Sequence, residues 1–260
     1  MIWDFYPFFA VAAIFCWMLG SVTAWYSKRS LAFIAIGAGI AVFAFFIVIL
    51  WQQLHRPPLR TMGETRLWYA FFLALVGLII YWRWSYRWIP FFTSLLATVF
   101  TLINVLKPEI HSITLMPALQ SPWFIPHVTV YILAYAMLGM STIVSLMQLY
   151  NARKEKIDPH LYLLLDNTVY IGFGFLMLGL ITGAVWAKEA WGNYWDWDPK
   201  ETWAFITAVA YLAVIHLRLT PRHTKLALWL LPFAFILLMM AWIGVNYLPS
   251  AQSSIHVYYT

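Results

Sequence analysis

Residues 31–54, LAFIAIGAGIAVFAFFIVILWQQL, form a stretch of 24 residues without a charged side chain. Lys28 and Arg29 precede this stretch, and His55 and Arg56 follow it. An α-helix rises about 1.5 Å per residue, so a helix of this length reaches about 36 Å and crosses the roughly 30 Å hydrocarbon core of a bilayer. The stretch therefore predicts a transmembrane helix.

The whole chain has a composition of the same kind. Of its 260 residues, 63% are hydrophobic and 19% aromatic, and only 10% are charged, whereas an average soluble domain has roughly 25% charged residues. A soluble fold cannot bury that much apolar surface, so membrane lipid is the expected solvent. Sixteen Lys and Arg residues give a net charge of +6, but they lie in short clusters between apolar runs. This pattern is typical of membrane topology signals and argues against a nucleic-acid surface.

Apolar runs of similar length recur along the chain. We expect eight transmembrane helices, at about 5–26, 31–54, 66–82, 89–106, 127–150, 165–187, 200–218 and 225–248. Backbone polar groups in lipid must be satisfied within their own segment, and these lengths suit helices better than barrel strands. The first run lacks the basic start and the cleavage site of a secretory signal, so we expect it to remain as a helix. The predicted fold is an all-α polytopic membrane protein, a bundle of about eight transmembrane helices in a single domain over residues 1–260.

Positive charges predict the orientation of the bundle. One set of connections carries ten of them, at Lys28, Arg29, Arg83, Arg87, Arg153, Lys154, Lys156, Arg218, Arg222 and Lys225. The opposite set carries six, at Arg56, Arg60, Arg66, Lys107, Lys188 and Lys200. The positive-inside rule makes the first set cytoplasmic, so both termini and the segments 107–126, 187–199 and 249–260 are expected to be extracytoplasmic.

Residues 191–203, WGNYWDWDPKETW, place four tryptophans and one tyrosine directly before the seventh span. Aromatic rings at a helix end often only anchor it at the headgroups, but an anchor needs neither the glycine nor the run of acid, proline, base and acid. Flat rings can stack on a porphyrin while the charged run orients its propionates. Pro199 suits the first turn of the helix that follows, with Asp198 as its N-cap.

This stretch, which we call the WWD segment, resembles the tryptophan-rich signature of the CcsA/ResC family of haem-handling proteins in the form WGxYWxWDPKE. Related haem handlers of the CcmC and CcmF type differ after the aspartate, so the run from Pro199 to Glu201 favours the CcsA branch. The resemblance covers about residues 57–260, the expected haem-binding core. It implies that haem b is bound by Trp191, Gly192, Tyr194, Trp195, Trp197, Asp198, Lys200 and Glu201.

Three of the seven histidines have a context that suggests iron ligation. His127 opens the fifth span and His256 lies in the extracytoplasmic tail, so both can reach the side of the WWD segment. The resemblance implies that these two are the external haem ligands. His216 lies 18 residues after Asp198, about 27 Å deeper along a helix. The resemblance implies a transmembrane haem ligand there, with its mate supplied by a partner of the CcsB/ResB type.

The other polar candidates have simpler expected roles. His55 and His111 on the outer side, and His160 and His223 on the inner side, are expected to be solvated. Glu64 resembles a family acid that precedes the third helix, and we expect it to have a structural or gating role. Cys16 is the only cysteine, which excludes an internal disulfide, and the absence of CxxCH means that the chain is not itself a c-type cytochrome. No phosphate loop, nucleophile elbow or hydrolytic carboxylate pair is present.

The resemblance implies a role in cytochrome c biogenesis, as part of a holocytochrome c synthase (haem lyase) complex in a bacterial inner membrane or a thylakoid membrane. Haem b would enter at His216 and be presented outside by His127 and His256. With a CcsB/ResB partner it would be attached by thioether bonds to the CxxCH motif of apocytochrome c. Thiol-reducing proteins would act indirectly, by keeping those cysteines reduced.

Two alternatives stay open at the level of sequence. One is a HemX-like membrane regulator of haem biosynthesis, which rescue of cytochrome c assembly would exclude. The other is a haem transporter without synthase activity, which a covalent adduct of haem on a CxxCH peptide would exclude.

Overall fold

A computed structural model describes residues 2–107, 117–156 and 158–249. Within these ranges the protein consists of α-helices joined by short turns and 3-10 helices, and no strand occurs. The helices are α1 (Tyr6–Trp25), α2 (Arg29–Leu54), α3 (Met62–Trp84), α4 (Trp88–Leu106), α5 (Phe124–Arg153), α6 (Pro159–Trp191), α7 (Pro199–Arg218) and α8 (Thr224–Trp242). The predicted all-α polytopic fold is confirmed. His111 and His256 lie outside the described residues.

Seven of these helices, all except α7, are long and apolar enough to cross a membrane, so the chain is an integral membrane protein. At 20 residues α7 is also long enough, about 30 Å. It is less apolar because Lys200, Glu201 and Arg218 occupy its first and last turns. The eighth crossing therefore stays a prediction, and so does the placement of both termini on one side.

Helix α6 is longer than the predicted span 165–187. Its start is fixed by Asp158, whose side chain accepts hydrogen bonds from the backbone N–H groups of His160 (3.0 Å) and Leu161 (3.2 Å). Its end is fixed by Gly192, which adopts the left-handed conformation that favours glycine (φ 91°) and donates its N–H to the carbonyl of Lys188 at 3.1 Å. The resulting 33 residues measure about 50 Å, more than the hydrocarbon thickness.

The contacts between helices divide the chain into two compact units. In the N-terminal unit, α1 packs on α2 and α4, and α3 packs on α2 and α4. In the C-terminal unit, α5 packs on α6 and α8, and α7 packs on α6 and α8. One end of the C-terminal unit, which we call the WWD end, gathers the start of α5, the end of α6, the WWD segment and the start of α7.

Candidate functional site

His127 lies in the first turn of α5 with its imidazole ring against α6. Its Nδ1 is 2.9 Å from the carbonyl oxygen of Gly179. Because a carbonyl only accepts hydrogen bonds, Nδ1 carries the proton and the lone pair of the neutral ring is on Nε2. A metal-ligating histidine usually has this arrangement, in which one ring nitrogen donates to a carbonyl and the other binds the metal.

The ring of His127 is also held by its neighbours on three sides. The indole of Trp186 stacks on it with ring centroids 5.4 Å apart and planes 24° apart. The ring of Tyr131 meets it edge-on at 4.7 Å. The backbone of Gly183 lies so close that a Cβ at this position would be 2.6 Å from His127 Cε1. The orientation of the imidazole is therefore set by packing.

Trp186 connects His127 to the WWD segment. Its side chain is 3% exposed, and its Nε1–H donates to the carbonyl oxygen of Ala118 at 2.9 Å. The ring of Trp191, the first residue of the WWD segment, meets the ring of Trp186 at 4.7 Å. The structure therefore brings His127 and Trp191 together through a tryptophan that the sequence did not single out.

The acidic residues of the WWD segment hold its backbone. Glu201 Oε2 accepts from the N–H groups of Asp196 (2.8 Å) and Asp198 (3.2 Å), and Asp198 Oδ1 accepts from the N–H of Lys200 at 2.9 Å. This reciprocal capping box confirms Asp198 as the N-cap of α7. Asp198 and Glu201 thus have structural roles, and the contact of these residues with haem stays a prediction.

Two aromatic residues of the WWD segment are less buried than their size would favour. Trp197 is 62% exposed and Tyr194 is 59% exposed. Trp197 also has φ 57°, a left-handed conformation that is a genuine outlier for a bulky residue. Trp195 meets Trp197 edge-on at 5.7 Å, and the buried Nε1–H of Trp195 has no hydrogen-bond partner among the described residues. Exposed rings, a strained backbone and an unsatisfied donor together are typical of a binding surface.

His216 lies on α7, 17 residues after Pro199 and therefore about 26 Å from the WWD end along the helix. Its Nδ1 is 2.8 Å from the carbonyl oxygen of Leu212, so the lone pair of this ring is also on Nε2. The side chain is exposed, on the same helix face as the exposed residues Phe205, Val209 and Leu212. The structure does not bring His216 to His127, and the assignment of the two residues to separate haem sites stays a prediction.

A salt bridge two residues beyond His216 was missed at the level of sequence. The guanidinium of Arg218 donates to Asp166 through two bonds of 2.8 Å, and it lies over the ring of Tyr162 at 5.0 Å. This pair joins α7 to α6 close to His216. The available signal was an aspartate inside the apolar run 165–187, because ionisable residues within membrane spans are functional candidates by default.

Glu64 has a structural role in the N-terminal unit. The residue is 2% exposed, and its carboxylate accepts two hydrogen bonds from Arg56, at 2.8 and 2.9 Å. It also accepts from the N–H groups of Arg60 (2.6 Å) and Thr61 (3.3 Å). Burial and the nearby Arg56 lower the pKa of Arg60, while Glu64 opposes that shift. These contacts fix the connection from α2 to α3 and identify the structural part of the role expected for Glu64.

The remaining described histidines, His55, His160 and His223, are all exposed, as expected for solvated residues.

Comparison with known proteins agrees with the signature. Residues 62–251 match the family described as "Cytochrome C assembly protein", a match that runs from the start of α3 to beyond α8. The chain belongs to the CcsA family. Among curated members, "Cytochrome c biogenesis protein CcsA" of Prochlorococcus marinus is 32% identical over 85% of this chain and 83% of its own length.

Two further members of the CcsA family show how the lengths compare. The protein of the same name from Heterosigma akashiwo is 30% identical over 94% of both chains. The one from Chlamydomonas reinhardtii is 31% identical over 82% of this chain, a match that spans only 65% of the Chlamydomonas protein. The family membership predicted from the WWD segment is thus confirmed.

Proposed function

We propose that this member of the CcsA family acts in cytochrome c biogenesis by binding haem b at the WWD end and presenting it there for covalent attachment to apocytochrome c. The observation that carries the proposal is the arrangement of His127, whose Nδ1–H bonds to the carbonyl of Gly179 while its ring is stacked beside the WWD segment. The printed names of the relatives, which are cytochrome c biogenesis proteins, point to the same process.

The residues at the WWD end fit a haem. His127 offers a lone pair on Nε2 to iron. Trp197 and Tyr194 offer exposed flat rings for contact with the porphyrin. The buried Nε1–H of Trp195 is a hydrogen-bond donor without a partner among the described residues, which suits a propionate oxygen. His256 is proposed as a second ligand of the haem iron and lies outside the described residues.

The chain's own contribution to the reaction is positioning. When bound, haem supplies the vinyl groups to which the cysteine thiols of a CxxCH motif add. His127 would hold the iron, and the aromatic rings of the WWD segment would lie against the porphyrin and exclude water there. Holding two reactants together in this way removes much of the entropic barrier to a bimolecular reaction. We therefore assign the chain to the haem-presenting half of a holocytochrome c synthase complex.

His216 is proposed as the ligand of a second haem site shared with a partner chain. An exposed imidazole on an otherwise apolar helix face is costly in lipid unless another group covers it. Its Nε2 lone pair is directed away from its own helix because Nδ1 is bonded to Leu212. A membrane protein of the CcsB/ResB type that supplies a second histidine would cover the exposed imidazole and would share a haem iron with its Nε2. Haem would reach the WWD end from this site.

Complementation tests the proposed function. The chain, a CcsB/ResB partner and an apocytochrome with one CxxCH motif are expressed in a strain that lacks its own cytochrome c synthases, and covalent haem is detected by haem staining of a denaturing gel. We expect a haem-stained cytochrome with the unaltered chain and with the matched control His223→Ala, and none with His127→Ala. No covalent cytochrome with the unaltered chain would favour a HemX-like regulator or a transporter. Normal yield with His127→Ala would contradict the role of that residue.

A further inference from the structure

We propose that Gly179, Gly183 and Trp186 of α6 are positioning residues that hold His127 in the orientation needed for iron, and that Gly183 controls how far the imidazole projects from the helix pair. This inference rests on the proposed function, since it concerns the same histidine. The three residues are spaced at i, i+4 and i+7 and therefore lie on one face of α6, the face that packs against α5.

Each of the three residues constrains a different part of the imidazole. The carbonyl of Gly179 binds the Nδ1 edge, the backbone of Gly183 abuts the Cε1 and Nδ1 atoms, and the indole of Trp186 covers one ring face. The carbonyl fixes which nitrogen carries the proton, the glycine fixes the distance of the imidazole from α6, and the indole fixes the plane of the ring. Together they determine where the Nε2 lone pair points.

Gly183 leaves no room for a side chain. A Cβ at this position would be 2.6 Å from His127 Cε1 and 2.7 Å from Nδ1, closer than such atoms approach in real structures. The imidazole is rigid and is bounded by Trp186 on one face and by Tyr131 at 4.7 Å. We therefore expect an added methyl group to push the ring off the carbonyl of Gly179 and to break the 2.9 Å bond.

Trp186 is itself held by burial, a hydrogen bond and an aromatic contact, so its indole can set the plane of the His127 ring. It is 3% exposed, bonded through Nε1–H to Ala118 and packed edge-on against Phe124 at 5.0 Å. Such burial makes it unsuited to contact a porphyrin directly, in contrast to the exposed Trp197. Its contact with His127 is therefore assigned to orientation of the ligand.

The bond to Gly179 also has an electronic consequence. Donation from Nδ1–H to a carbonyl increases the basicity of Nε2, a general effect of such outer partners on ligating histidines. A more basic axial ligand stabilises ferric iron and lowers the reduction potential of the haem. Loss of the bond should therefore raise the reduction potential of the haem. If α6 had only a structural role, the potential would stay unchanged.

Gly183→Ala tests the inference, with Gly174→Ala as its matched control. Gly174 lies on the same helix, and a Cβ there would meet nothing within 4 Å. Both variants are combined with His216→Ala, so that only haem at the WWD end is measured. For Gly183→Ala we expect at least a tenfold loss of haem affinity, a higher reduction potential of the haem that remains, and partial recovery of the low-spin absorption spectrum with added imidazole. Gly174→Ala should match the His216→Ala parent in haem affinity, reduction potential and absorption spectrum.

Trp186 provides a second test that does not depend on the folding of Gly183→Ala. Trp186→Phe keeps an aromatic face and should keep the low-spin spectrum, whereas Trp186→Leu should lose it, in samples matched for membrane abundance. Parent-like spectra in Trp186→Leu, or in an accumulating Gly183→Ala, would overturn the inference. His127→Ala distinguishes failure of this inference from failure of the proposed function, because an unchanged spectrum in that variant contradicts the proposed function itself.

Discussion

The backbone of Trp197 is left-handed, so we expect glycine to be more stable than alanine at this position, the reverse of the order at ordinary positions. An L-residue in this region costs roughly 1–2 kcal/mol that glycine avoids, and Trp197 has φ 57°. At ordinary positions glycine is less stable than alanine by about 0.5–1 kcal/mol, because it loses more conformational freedom on folding. Trp197→Gly and Trp197→Ala both remove the ring and its contacts with Trp195 and Phe205, so the difference between them isolates the backbone.

We expect Trp197→Gly to be more stable than Trp197→Ala by about 1 kcal/mol, and both variants to lose haem equally. Thermal unfolding in detergent measures the first quantity, and haem bound per purified protein measures the second. The reference position is Gly174, on the exposed surface of α6, where Gly174→Ala should instead be neutral or stabilising. If alanine equals or exceeds glycine in stability at position 197, the strain argument is wrong. If haem retention survives loss of the ring, Trp197 is only an interfacial anchor.

Three other predictions follow from particular contacts. Glu64→Ala leaves Arg56 without its buried carboxylate, and we expect a loss of about 3 kcal/mol in unfolding free energy; a double variant with Arg56→Ala should lose less than the sum of the singles, and strict additivity would contradict the pairing. Asp166→Ala should weaken haem binding at the His216 site while leaving the WWD end intact, since it releases Arg218 at the end of α7; equal loss at both sites in haem titrations would argue for general unfolding. Asn193→Cys in a Cys16→Ser background should react with a membrane-impermeant thiol reagent from outside the cell, and labelling only after the membrane is opened would reverse the orientation.

The sequence predicted the helices because a span of apolar residues is a local property. The ends of those helices were less accurate, because capping decides them. Helix α6 begins at Pro159, with Asp158 as its N-cap, rather than at the edge of the apolar run. Likewise, the helix predicted at 66–82 begins at Met62 in the structure, because Thr61 and Glu64 form a capping box there.

The candidate site was predictable only in part. The WWD segment is contiguous, so its composition identified it directly. The partners of His127 come from another helix, and no pattern within α5 indicates that Gly179, Gly183 and Trp186 will face it. The same holds for Asp166 and Arg218, which are 52 residues apart. Such pairings depend on the rotation of two packed helices, which hydropathy does not determine.

Ligation of the haem iron by His127 can be measured in the absorption spectrum of haem bound to the WWD end. The chain is purified with haem in a His216→Ala background, with and without the further change His127→Ala, and each sample is measured in its reduced form before and after addition of imidazole. We predict a low-spin, bis-histidine spectrum for the parent, its loss in His127→Ala, and its partial return with imidazole. A parent-like spectrum in His127→Ala without imidazole would show that this residue does not ligate the iron and would contradict the proposed haem site.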